Sequence, residues 1–122
     1  MQTFFFDTYA FYEIIAGNSN YLPFTKDVKI LTTQLNLMDL YYQLLALYDK
    51  QHAIELFNRY EEFIVPVSNS DIIEAMDFRK ENYKKDLSYV DCVGYAIAHK
   101  MRVPFLTGDR QFEHFNNVKF VK

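Results

Sequence analysis

With 122 residues, half of them apolar, the chain has the size of one domain whose core buries roughly two thirds of its unfolded surface. Thirteen Lys and Arg against sixteen Asp and Glu leave a net charge of −3. That excludes nucleic-acid binding carried by side-chain charge alone; such a partner would need a metal ion to meet its phosphates.

The lone cysteine, Cys92, rules out an internal disulfide and fits a reducing, cytoplasmic setting. No stretch reaches the about 18 unbroken apolar residues of a membrane span. Asp7 and Glu13 interrupt the N-terminal apolar run, which carries no basic residues and so does not read as a signal peptide. Twelve Phe and ten Tyr exceed what one small core readily hides and point to a self-association surface.

In chain order, Thr3-Phe4-Phe5-Phe6 is a short apolar run that predicts a strand with Asp7 at its C-terminal end. Tyr9, Tyr12, Ile15 and Ala16 follow at helical spacing until Gly17-Asn18 stops them. Residues 20–27 contain Pro23 and predict a short helix or turn, and Val28 to Leu31 predicts a second strand. Leu37, Leu40, Tyr41, Leu44, Leu45 and Tyr48 then mark the longest helix, with Asn36 as its N-cap and Asp39 three residues on. A helix over residues 51–60 turns Ile54, Phe57 and Ala53 inward. Phe63 to Val67 predicts a strand that Pro66 confines to a sheet edge. Ser70 or Asp71 would cap a charged helix reaching about Tyr83, with Ile72, Ile73 and Met76 on its apolar side.

Ser88 and Asp91 have the spacing of a capping box, and Val90, Val93, Ile97 and Met101 form one face of the helix behind them. Gly94, Ala96 and Ala98 let that helix approach a sheet closely, and Lys100 and Arg102 suit its negative end. After Pro104, Phe105-Leu106-Thr107 predicts a buried strand that ends at Gly108-Asp109. Asp109 caps a short turn with Phe112, and residues 118–121 alternate like a last edge strand. Strands and helices alternate throughout. They predict one domain, residues 1–122, in a three-layer α/β/α fold with a mostly parallel sheet of about five strands.

Four acids stand out. Each has a structural explanation: Asp7 and Asp109 as N-caps, Asp39 and Asp91 as the N3 members of capping boxes. Together they fall at strand C-terminal ends and helix starts, which share one edge of a parallel sheet. Carboxylates converging there repel one another unless a divalent cation neutralises them, and an all-oxygen site selects Mg2+ or Mn2+. Such a site orients water against a phosphodiester without help from Cys, His or Lys.

The stretches Phe6-Asp7-Thr8, Leu37-Met38-Asp39-Leu40, Leu87-Ser88-Tyr89-Val90-Asp91 and Leu106-Thr107-Gly108-Asp109-Arg110-Gln111-Phe112 resemble, in order and spacing, the PIN domain, and within it the VapC-type toxins of toxin–antitoxin pairs. The resemblance spans essentially the whole chain. It implies a PIN-like fold and a Mg2+- or Mn2+-dependent endoribonuclease that hydrolyses RNA. Asp7, Asp91 and Asp109 match three of the family's acidic, metal-holding positions. Asp39 stands where the fourth is usually Glu, one methylene short, which lengthens a metal contact or routes it through water. Thr8 and Thr107 match hydroxyls that help hold the first Asp. The resemblance also implies a homodimer and a cognate, VapB-like antitoxin whose tail blocks the site.

Lesser features divide the same way. Arg110 is placed to contact a phosphate, and Arg79, Lys80, Lys84 and Lys85 are either RNA contacts or a solvated face balanced by Glu74, Asp77 and Glu81. Asp86 is a loop carboxylate near Asp91. Cys92 reads as a small buried apolar group, and His52, His99 and His114 show no metal-ligand spacing. Tyr9, Phe11, Tyr12, Tyr41 and Tyr42 are aromatics for packing or for stacking on bases. A phosphoacceptor receiver domain shares the size and an acidic pocket. It needs an Asp after a central strand and a Lys after a late one, and the chain offers Pro66 and Gly108-Asp109 there. A PIN-like module that only docks partners is the remaining alternative.

Overall fold

A computed structural model describes residues 1–122. Four parallel strands, β1 (Gln2–Phe6), β2 (Val28–Leu31), β3 (Phe105–Thr107) and β4 (Val118–Phe120), form one sheet in the order β2-β1-β3-β4. Five α-helices cover it: α1 (Thr8–Ala16), α2 (Gln34–Leu44), α3 (Lys50–Arg59), α4 (Asn69–Glu81) and α5 (Tyr89–Met101). The stretch around Pro23 is a 3-10 helix, Ser19–Phe24, capped by Asn18. No helix is long and apolar enough to cross a membrane.

The Phe4-Phe5-Phe6 run has a direct cause in this layering. A central parallel strand is covered on both faces, so its apolar residues need not alternate with polar ones. Phe4 and Phe6 enter the core beneath α1, α2 and α3 with Phe11, Tyr21, Leu37, Leu40 and Leu44, while Phe5 enters the opposite core beneath α5 with Phe105, Phe112, Tyr95 and Ile97. Gly94 is what lets α5 sit against Phe5, because a Cβ there would come within 2.9 Å of the Phe5 ring. Cys92 is buried in this second core, where burial first and the Asp91 charge second push its thiol to about 11.

Four expectations are corrected. The sheet has four strands rather than about five: around Phe63–Val67 the chain makes a 3-10 turn, Glu61–Phe63, and a single parallel bridge, Thr32 to Ile64. Val65 donates to the Thr32 carbonyl at 2.8 Å, but the 3-10 turn ends just before this bridge and the segment paired with it turns into α2 at Thr33 just after it, so no ladder is built. Helix α2 is capped by Thr33, whose hydroxyl accepts from the Asn36 amide at 3.2 Å, so Asp39 lies mid-helix and caps nothing. Ser68, not Ser70 or Asp71, caps α4 in a capping box with Asp71. That phase leaves Ile72 and Ile73 exposed, turns Ala75 into the core, and buries Asp71 in an ion pair with Lys100.

Candidate active site

The C-terminal ends of β1 and β3 and the N-terminal ends of α1 and α5 meet at one rim of the sheet. There they and α2 enclose an open cleft of about 440 Å³ lined by Asp7, Thr8, Tyr9, Tyr12, Glu13, Asp39, Gln43, Ser88, Asp91 and Asp109. All four acids singled out in the sequence are in this lining, although they come from four separate parts of the chain. Five carboxylates share the cleft, and no Lys, Arg or His lines it.

Asp7 is the deepest of the five, only 2 % exposed. Oδ1 accepts from the Thr8 amide at 2.9 Å as the cap of α1, and Oδ2 accepts from the Thr107 hydroxyl at 2.7 Å. Thr107 is itself positioned because its Oγ1 also accepts from the Asp109 amide at 3.1 Å. Gly108 makes this turn practicable: a Cβ there would collide with the Tyr9 ring and with the Val121 carbonyl. Thr8 looks the other way. Its hydroxyl donates to the Asn36 carbonyl at 3.2 Å and accepts from the Asn36 amide group at 3.3 Å, while Thr33 donates to Asn36 Oδ1 at 2.7 Å. This buried network ties the start of α1 to the first turn of α2, and so sets where Asp39 stands.

Asp91 is held differently, by the capping box at the start of α5. Its Oδ2 accepts from the Ser88 amide at 3.2 Å, and its own amide donates to Ser88 Oγ at 3.0 Å. Asp109 Oδ1 accepts from the Gln111 amide at 3.0 Å, capping the turn Arg110–Phe112.

Burial raises the Asp7 carboxyl from its ordinary 3.8 to about 8, and the charge of Asp91 adds to the shift, against the opposing hydrogen bonds from Thr107 and Thr8. Asp91 is also raised, by burial first, with Ser88 opposing and the charges of Asp109 and Asp39 adding. Burial is thus the main reason that Asp7 and Asp91 resist ionisation, and the neighbouring carboxylates add to it, so a cation in the cleft would favour their charged forms. An all-oxygen set with two raised carboxyls fits a hard divalent cation. No three His, Cys, Asp or Glu side chains are gathered tightly enough to grip an ion together. The fit is therefore the Mg2+ manner, one or two carboxylates with the remaining positions filled by water.

Of the other residues singled out, Arg110 is exposed, pairs with Glu113 at 3.4 Å and stays outside the cleft lining. Arg79 is half-buried, with Nε donating to the Leu87 carbonyl at 2.9 Å, and Lys80 and Lys84 are exposed at the end of α4 and just beyond it. Asp86 and the three histidines do not reach the cleft. Tyr9 and Tyr12 line it, whereas Phe11 is fully buried in the core. Sequence reasoning missed Glu13, Gln43 and Asn36. The signal was available for the first two: Glu13 lies four residues beyond Tyr9 and Gln43 four beyond Asp39, the spacing that stacks side chains on one helix face.

A family model described as PIN domain matches residues 4–118. Comparison with curated protein sequences gives no match. Among solved structures, a toxin–antitoxin complex from Klebsiella pneumoniae superposes with a TM-score of 0.74 at 17% identity, covering 95% of this chain and 95% of that one. VapC20 of Mycobacterium tuberculosis, described as a sarcin-ricin loop cleaving toxin, gives 0.74 at 17% identity over 94% of this chain and 98% of its own. VapBC2 of Rickettsia felis, bound to a DNA fragment from its promoter, gives 0.75 at 14% identity over 99% and 100%. At these identities the superpositions establish a shared fold.

Proposed function

The chain belongs to the PIN-domain family, and from that premise we propose that residues 1–122 act as one PIN-like domain, a divalent-metal-dependent endoribonuclease of the VapC toxin type. The observation that carries the reading is the cleft itself: Asp7, Asp39, Asp91 and Asp109 meet there with no Cys and no His, Lys or Arg to activate a hydroxyl. Asp7, Asp91 and Asp109 would hold Mg2+ or Mn2+ between them, one or two directly and the rest through its waters, and the ion when bound supplies Lewis-acid polarisation of the phosphate and a more acidic water. Thr107 and the Thr8 amide fix the Asp7 carboxylate, so its orientation is settled before any ligand arrives. Asp39, reaching in from α2, completes the shell or accepts a proton from the attacking water. The N-termini of α1 and α5 both face the cleft and favour a phosphate there, which eases the approach of RNA to an acidic chain.

Two partners follow from the same reading. Several superposed structures are of toxin–antitoxin complexes, which supports an antitoxin for this chain, VapB-like in kind. A homodimer is supported by the apolar side chains left in solvent, among them Met38, Leu47, Ile72 and Ile73. The setting we propose is the cytoplasm, where Cys92 stays reduced.

The test is cleavage of single-stranded RNA with Mg2+ or Mn2+, with and without EDTA, by the native chain and by Asp91→Asn. Cleavage that needs the metal and disappears in the variant supports the proposal, and equal cutting by both chains ends it. A module that only docks partners is the rival, favoured by the looseness of the ligand set and the short Asp39. Millimolar or weaker metal affinity with no cleavage would select it.

A further inference from the structure

The end of α4 and the loop to α5 carry the one basic concentration in an acidic chain, with Arg79, Lys80, Lys84 and Lys85 falling within seven residues. Two tyrosines lie among them in solvent, Tyr83 at 70 % exposure and Tyr89 at 65 %. No core contact explains a ring kept so far out of the protein. Arg79 does two things at once here. Its Nε donates to the Leu87 carbonyl at 2.9 Å, and its guanidinium carbon sits 4.7 Å from the centre of the Tyr89 ring. The loop is also pinned from the other side, where the Asp86 amide donates to Gln111 Oε1 at 3.2 Å. Tyr89 is therefore a ring on a fixed mount, backed on one face by a planar cation. It is joined directly to Ser88, a wall of the acidic cleft.

We propose that Tyr89, backed by Arg79, is the stacking platform for an RNA base next to the scissile phosphate, and that Lys84 and Lys85 hold the phosphates of that strand. Bases stack on exposed aromatic rings and on guanidinium planes, and lysines track the backbone beside them. An acidic protein segment would use the lysines and leave both rings idle, whereas a single-stranded nucleotide uses all of these groups. The surface also supplies the positive charge that the cleft lacks. The proposal rests on the reading of the cleft as an RNA-cleaving site, and it makes Tyr89 a substrate-positioning residue.

The test measures binding of a labelled single-stranded RNA in EDTA, then steady-state cleavage in Mn2+, for the native chain, Tyr89→Ala and Tyr89→Phe. Stacking of one base predicts that Tyr89→Ala raises Kd and KM about ten-fold with kcat little affected, and that Tyr89→Phe restores both. Lys84→Gln and Lys85→Gln should each flatten the salt dependence of binding by about 0.7 in log–log slope. The platform is overturned if Tyr89→Ala keeps native Kd and KM, if native protein binds no RNA, or if polyglutamate displaces RNA from native and Tyr89→Ala equally well. The two readings separate cleanly. Tyr89-dependent binding in EDTA without any cleavage leaves the platform standing and removes the nuclease, while native cleavage indifferent to Tyr89 does the reverse.

Discussion

The starts of α1 and α5 each deliver one aspartate to the cleft, yet they hold it by different means. Asp91 is fixed by Ser88, three residues away on the same helix. Asp7 is fixed by its neighbour Thr8 and by Thr107, 100 residues away on another strand. The first arrangement is local and forms with its helix. The second exists only once β1 and β3 have paired. Asp7 is also the more deeply buried of the two, and its carboxyl is raised to about 8. The molecule therefore invests folding stability in the Asp7 corner, while at the Asp91 corner one capping box both starts a helix and places a carboxylate.

The largest test of this contrast is Asp7→Asn, which should lower metal-dependent RNA cleavage at least about 100-fold, as loss of a metal ligand does. Stability should move the other way, and its pH dependence has a definite sign. Between about pH 4 and pH 8 the unfolded chain has lost the Asp7 proton and the folded chain keeps it. The stability that depends on this proton is complete below about pH 4 and is lost as pH rises through about 8, by up to about 1.4 kcal/mol per pH unit. Asn remains a good N-cap and carries no charge. Metal-free Asp7→Asn should therefore melt above the native chain at pH 8 and close to it at pH 4, and added Mg2+ should raise the native Tm only. Thermal melts at the two pH values, with and without Mg2+, check all three statements.

Next in size is Thr107→Val, which removes the long-range anchor while keeping the shape of the side chain. Activity should fall about 10- to 100-fold, as when a group behind a metal ligand is lost. Without the donor that stabilises its charged form, Asp7 ionises at still higher pH, so cleavage by Thr107→Val should rise more steeply with pH than native cleavage does. A pH–rate profile parallel to the native one would show that Asp7 does not depend on Thr107. The matching change at the other corner, Ser88→Ala, removes a helix cap worth about 1 kcal/mol, or about 4 °C in Tm, with an activity loss under about ten-fold. If Ser88→Ala proved more damaging to catalysis than Thr107→Val, the contrast between the two corners would be reversed.

The same local-versus-distant division decides what could be read from the chain. The Ser88–Asp91 box, the strand at Phe105–Thr107 and the triple Phe of β1 are visible in residues adjacent to one another, and they put Asp7, Asp91 and Asp109 at the rim of the sheet where the cleft opens. The cap of α2 was misplaced because Thr33 and Asn36 are both good caps, and only the fold shows that Asn36 is spent on Thr8. The inward face of α4 was misjudged because Asp71 turns inward to meet Lys100, which 29 residues of sequence conceal. The fifth strand shrank to one bridge because a 3-10 turn precedes Ile64 and its partner, Thr32, is followed at once by the cap of α2. Convergence of the four acids was legible as a pattern, but the depth to which Asp7 is buried was not, since it exists only once strands and helices from distant parts of the chain have packed around it.

Glu13 offers the finest test, because it is the fifth carboxylate of the cleft and lies on α1 four residues beyond Tyr9. It is half-buried and carries only a long 3.4 Å bond from the Asn18 amide group, so nothing orients it as Asp7 is oriented. A carboxylate of that kind acts on a cation through screened charge worth at most about 1 kcal/mol. Glu13→Gln should then weaken Mn2+ binding by no more than about five-fold in a calorimetric titration, with Tm unchanged, while Asp39→Asn costs more. A loss from Glu13→Gln equal to that from Asp7→Asn would mean that α1 supplies two ligands. In that case the short side chain of Asp39 would have been replaced in its role by the longer one of Glu13, which lines the same cleft.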